Sequence, residues 1–238
     1  MLQTQDPRPA VVKALEFLVS GIEVGASPKP ELIVKPQPGP QTLFFECEAD
    51  IVFYGGAAGG GKSWGLINLP IYKGWHQVEG FTGMIFRRTY AMAEKPGATW
   101  DQVKDAYRPH SADFAGMTAK FPRSKIAVGH LQHEANKYDH QGAEYAYIAF
   151  DELPHFTSGQ FWYMVSRNRS TCGVKPVVRA GMNPEPDSWV LDLVSWWIDD
   201  DESSPSYGLP IPERSGVVRY LVREGDEIIW GDSREELK

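Results

Sequence analysis

The stretch Gly56-Ala57-Ala58-Gly59-Gly60-Gly61-Lys62-Ser63 carries two groups that could do chemistry, an amine and a hydroxyl, on a backbone nearly stripped of side chains. It fits the spacing G-x-x-x-x-G-K-[ST]. Glycines at this density let successive N–H groups turn inward and form a concave anion site, to which a helix starting at Lys62 would add its positive end. Lys62 would then reach the outer phosphates of a nucleoside triphosphate, and the Ser63 hydroxyl would ligate Mg2+. These eight residues are the candidate phosphate-binding loop.

A second pair, Asp151-Glu152, ends the apolar run Tyr147-Ile148-Ala149-Phe150. If that run is a buried parallel strand, its carboxyl end lies beside the phosphate loop, where such sheets bind ligands. Asp151 would hold Mg2+ through water. Glu152, next to the metal, is placed to orient and deprotonate water for attack on the terminal phosphate of ATP, which favours hydrolysis over transfer to a small acceptor.

Elements must position these groups, and the pattern of apolar residues supplies them. ADIVFYGG and TGMIFRRTY (82–90) have strand length and composition, as do AYIAFDEL (146–153) and KPVVRAGMNP; KSWGLINLPIYKGW, TWDQVKDAYRPH, GQFWYMVSRNR and DSWVLDLVSWWIDD have helical spacing. MTAKFPRSKIAVGHL reads as a hairpin or two short strands. Strands alternating with helices predict an α/β fold of the P-loop NTPase class, a mainly parallel central sheet flanked by helices. Residues 1–40 read as an N-terminal arm, with a short helix in PRPAVVKALEFLVSGI and a proline-rich linker; 41–200 as the P-loop core; 201–238 as a linker and a β-hairpin turning at Glu224-Gly225-Asp226.

Composition narrows the classes. With 238 residues, 42% hydrophobic, the chain can bury a sizeable core. No apolar run approaches the roughly 18–20 residues of a membrane span, and MLQTQDPRPAVVK lacks the core of a signal peptide, so a cytoplasmic protein with no membrane partner is expected. Cys47 and Cys172 form no metal-ligand spacing and read as small core residues, in keeping with a reducing compartment. A net charge of −7 gives no global pull toward nucleic acid, so any DNA contact must be local. His130 and His133 read as ordinary strand or loop residues, His155 as incidental, and Trp189, Trp196 and Trp197 as core or domain-interface packing rather than a base-stacking platform. The acidic run DDDESS (199–204) reads as a solvated linker.

In this order and spacing, the chain resembles the N-terminal ATPase domain of the large terminase subunit of tailed bacteriophages. ADIVFYGGAAGGGKSWG is similar to that family's phosphate loop, MIFRRTY to its arginine-bearing strand, IAFDEL to its acidic strand, and VVRAGMNPEPDSWV to its coupling motif. The resemblance covers roughly 41–198. It implies an ATP hydrolase that uses Mg2+ to drive double-stranded DNA into a procapsid, working as a homo-oligomeric ring on the portal protein with the small terminase subunit, in the host cytoplasm and only transiently on the procapsid. Gln41 would read adenine, since an amide donates and accepts at once. Asn183 would sense the γ-phosphate or the attacking water and link hydrolysis to movement. Either Arg87 or Arg88 would face the nucleotide, the other making a structural ion pair.

One departure stands out. The stretch before the acidic strand, NKYDHQGAEY, holds no arginine to reach a neighbour's nucleotide as a finger. Either Lys137 substitutes, or the finger comes from elsewhere, with Arg167, Arg169 and Arg179 as candidates; lysine lacks the planar fork. The family's C-terminal nuclease domain is also expected to be missing, because only about 40 residues follow the coupling helix. The hairpin at 216–231 would then be part of the small lid that follows the ATPase core. The alternative function is a nucleotide-dependent switch or scaffold with slow turnover.

Overall fold

Tyr147–Asp151 (β6) and Val177–Met182 (β7) are buried along their whole length, as strands covered on both faces must be. They lie side by side inside a seven-stranded sheet, third and second from one edge. The computed structural model describes residues 34–56, 59–183, 185, 187–225 and 227–238. The expected N-terminal helix lies outside these residues. The other strands are Ile51–Gly55 (β1), Thr82–Arg87 (β2), Asp113–Ala115 (β3), Thr118–Lys120 (β4) and Lys125–His130 (β5). Their order across the sheet is β1-β7-β6-β2-β5-β4-β3, with the first five parallel and β4 and β3 added antiparallel.

Helices cover both faces. Pro40–Glu46 (α1), Lys62–Tyr72 (α2) and Thr99–Tyr107 (α4) share one core with Ile85, Tyr147, Ala149 and Val177. Ser158–Val165 (α5) and Trp189–Val194 (α6) close the other core over Phe86, Ile148, Phe150, Val178 and Ala180. The alternation of 147 and 149 against 148 and 150 is the period-2 signature of a strand buried on both sides. A short helix, Tyr90–Glu94 (α3), follows β2 and is capped by the Thr89 hydroxyl, which accepts from Met92 N–H. Tyr220–Glu224 (β8) and Glu227–Gly231 (β9) form the expected separate hairpin, with Val222 opposite Ile229. No helix among the described residues is long and apolar enough to cross a membrane.

Three elements differ from expectation. The α1 helix was hidden in a proline-rich stretch; Pro40 at its first position has the φ a helix needs and no N–H to leave unpaired. The DSWVLDLVSWWIDD helix stops at Val194 and tightens to a 3-10 turn over Ser195–Trp197. There the chain serves other partners: Trp197 O accepts from Ile211 N–H, and its indole N–H donates to Val217 O. The short edge strand β3 had no readable signal.

Helix α2 contains Pro70, which cannot donate to the Leu66 carbonyl four residues back. That carbonyl is buried, and the Tyr147 hydroxyl on β6 donates to it at 2.6 Å. Tyr107 of α4 does the same for Ile67 O at 2.7 Å. Burial raises the affinity of both phenols for their protons, so both remain donors. Tyr147→Phe should therefore cost about 1–3 kcal/mol in denaturant unfolding, because it orphans a buried acceptor. Exposed Tyr138→Phe should stay within about 0.5 kcal/mol.

Candidate nucleotide site

The loop between β1 and α2 is shaped by its backbone before any side chain acts. Gly59 and Gly61 have φ of 85° and 72°, a region that L side chains resist. Gly61 is constrained twice, since a Cβ there would stand 2.6 Å from Gln41 Nε2. Tyr54 on β1 donates to Gly60 O at 3.0 Å and stacks on Phe44 of α1 at 5.1 Å, so the loop is braced from below. Ala57 and Ala58 lie outside the described residues.

Lys62 opens α2 and is almost wholly buried, its ammonium donating at 2.8 Å to Gly56 O and at 2.8 Å to Asn183 Oδ1. Ser63 Oγ donates to Asp151 Oδ1 at 2.8 Å. Asp151, 2% exposed, also receives Arg87 at 3.2 Å on Oδ2. Strand parity explains the pairing: Phe86 faces Phe150 in the β2–β6 register, so Arg87 falls beside Asp151 at the strand ends, on the face where α2 presents Ser63. Burial pushes the Asp151 carboxyl above the usual carboxylate range; Arg87, Ser63 and Lys62 pull it back, and Glu152 adds to the rise.

Glu152 follows with φ 65° and ψ 69°, a left-handed conformation that is costly for a non-glycine residue and clusters at functional sites. The turn lifts its carboxylate off the strand axis to accept from Asn183 Nδ2 at 3.4 Å. Asn183 thus bridges Lys62 and Glu152 with the two ends of one amide. It can do so because β7 lies between β1 and β6, a strand order the local sequence pattern did not give. Gly181 leaves space for α2: a Cβ there would meet Leu66 at 3.3 Å and Lys62 at 3.4 Å.

The structure brings Gly59, Gly60, Gly61, Lys62, Ser63, Glu152 and Asn183 around one cleft of 330 Å3, with Trp64 as a further lining residue that the sequence reading had passed over. Asp151 and Arg87 stand directly behind. Arg88 is not brought in; it points to the opposite face and donates to Leu131 O and Gln160 Oε1. Gln41 lies under the loop rather than in solvent, 5% exposed, with Oε1 accepting from Gln37 N–H at 2.6 Å.

Arg179 corrects an expectation. It was a candidate to reach a neighbouring subunit, but it is 2% exposed in mid-β7 and donates to the carbonyls of Cys47, Ala49 and Val178. Lys137 is engaged by Glu134, and Arg167 lies over the Tyr163 ring at 5.3 Å. Arg169 is exposed near the amino end of β6, its N–H on Tyr145 O. His155 faces Glu185 at 3.8 Å, and Trp189 packs on Phe161, its indole donating to Phe156 O.

No group of three or more His, Cys, Asp or Glu side chains among the described residues could hold a metal by itself. The Ser63–Asp151 pair beside an open glycine cradle instead fits Mg2+, which takes one or two protein oxygens and completes its shell with water and phosphate.

Gly61→Ala should lose about 1–3 kcal/mol of stability from backbone strain. Adding Gln41→Ala should relieve the contact at Nε2 but leave the φ penalty, so the double variant should recover only in part in thermal unfolding.

The family model described as "Terminase large subunit, T4likevirus-type, N-terminal" matches residues 82–215, beginning after the phosphate loop. The ATPase domain of the large terminase from Thermus phage P74-26 superposes with a TM-score of 0.51 at 16% identity, covering 75% of this chain and 78% of that one. The large terminase of bacteriophage HK97 gives 0.51 at 13% identity, with 75% and 39% covered. For the large terminase of the thermophilic bacteriophage D6E the TM-score is 0.49 at 15% identity, and the chain spans 44% of that protein's length. At these identities the two superpositions at 0.51 speak to the fold alone. No curated protein sequence matches. The family match covers more than half of the residues, and the chain belongs to the terminase large subunit N-terminal family of the T4-like virus type.

Proposed function

We propose that this chain binds ATP with Mg2+ and hydrolyses it as the motor part of a DNA-packaging terminase. The observation that carries the reading is the Asn183 amide, held between Lys62 at 2.8 Å and Glu152 at 3.4 Å. It links a phosphate-binding cation to a carboxylate placed as a base, and family membership supports the same reading.

Each residue has a task. The N–H groups of the glycine loop and the first turn of α2 receive phosphate oxygens, and Lys62 exchanges one of its present acceptors for phosphate. Ser63 Oγ and Asp151 would hold Mg2+, which when bound draws charge from the phosphate oxygens. Arg87, lying on Oδ2, favours the ionised form of Asp151 against the burial that opposes it. Glu152 takes the proton of the attacking water on its carboxylate, and its left-handed backbone aims that carboxylate away from the strand. When Lys62 turns to phosphate, Asn183 Oδ1 loses its donor. Asn183 stands six residues before Trp189, the first residue of α6, so the change at the phosphate is passed to that helix.

Double-stranded DNA, the portal protein, the small terminase subunit and a homo-oligomeric ring in the host cytoplasm belong to the same proposal. Arg167 and Arg169 remain as candidates for a contact with a neighbour's nucleotide.

Steady-state ATP hydrolysis with Mg2+ tests it, beside ATP binding, over a range of protein concentrations. Glu152→Ala should bind ATP and lose about 100-fold or more in turnover. Wild-type turnover should rise faster than linearly with concentration if a neighbour completes the site. Turnover indifferent to Glu152 would overturn the assignment.

A further inference from the structure

The reaction end of the cleft is fixed by Glu152 and Asn183, at the carboxyl ends of β6 and β7. The nucleoside must therefore leave the phosphate loop toward another wall. Among the described lining residues the aromatic one is Trp64, the third residue of α2. It is 38% exposed although it follows a buried lysine and a half-buried serine.

Trp64 is also held. Its ring packs on buried Phe45 at 5.7 Å, and Phe45 is set edge-on against Tyr72 at 4.9 Å and Phe44 at 5.8 Å. An indole backed by Phe45, which is itself held by two further rings, loses little freedom when something stacks on it. The residue suited to reading a base edge is turned the other way: Gln41 Oε1 accepts from Gln37 N–H, and Nε2 lies where a Gly61 Cβ would be.

We propose that Trp64 holds the nucleotide base by its face and that Gln41 braces the loop instead of reading adenine, so that the site separates purines weakly. This rests on the reading of the cleft as a nucleotide site. Every base has a π-face, so stacking is tolerant of base identity, whereas an edge reader is not.

The test is calorimetric binding of the imido analogues of ATP and GTP, and of inorganic tripolyphosphate, to the full chain and its Trp64→Leu, Trp64→Phe and Gln41→Ala variants. Wild type should bind the two nucleotides within about threefold of each other. Trp64→Leu should weaken both by about 5- to 100-fold, leave tripolyphosphate unchanged, and Trp64→Phe should regain most of the loss. The unchanged tripolyphosphate affinity guards against a damaged fold. Trp64→Leu binding both nucleotides like wild type would overturn the proposal, as would an equal loss for tripolyphosphate. A strong preference for ATP abolished by Gln41→Ala would overturn it in favour of edge reading. If wild type bound neither tripolyphosphate nor nucleotide, the phosphate-loop reading itself would fall, and the stacking proposal with it.

Discussion

Lys62 and Glu152 follow β1 and β6, strands that are not neighbours in the sheet, and the strand between them makes one site of two motifs. β7 separates β1 from β6, and its terminal Asn183 reaches both residues. Much else serves that insertion. Met182 packs beneath the loop entrance at Gly55, and Gly181 clears the space through which α2 approaches. The parallel register then sets Asp151 and Arg87 side by side under Ser63.

The price of this arrangement is buried charge. Asp151 is ionisable and dehydrated, and an isolated carboxylate there would be strongly disfavoured; Arg87 and the Ser63 hydroxyl offset that penalty without removing it. Arg179, one strand over and on the same face, meets the opposite problem by donating to backbone carbonyls, and burial pulls its guanidinium toward losing its proton. The two groups divide the face of the sheet by depth. The carboxylate lies at the strand ends beneath Ser63, while the arginine farther in ties β7 to the segment that joins α1 to β1.

The loop, its flanking strand and helix, the acidic strand and the C-terminal hairpin were legible because each is a local pattern: a spacing, a period or an abrupt end to an apolar run. Strand order was not, because packing between distant segments decides it. Parity held the answer to which arginine faces Asp151, but only once Phe86 was known to face Phe150. The burial of Gln41 was not legible, because the proline-rich stretch conceals that Pro40 starts a helix, which carries Gln41 under the loop. Arg179 misled because an arginine in an apolar strand reads as exposed until carbonyls to receive it are seen. Trp64 was passed over as one apolar residue in a helix, and its exposure beside the cleft is a three-dimensional fact.

Helix α2 and strand β6 are joined at both ends, by Ser63 to Asp151 at one and by Tyr147 to Leu66 at the other. The second joint exists because Pro70 leaves a carbonyl without a donor. Helix α2 and the acidic strand are thus a single transferable part. A chimera that takes one from a relative must take the other, or it inherits a proline with no tyrosine to answer it.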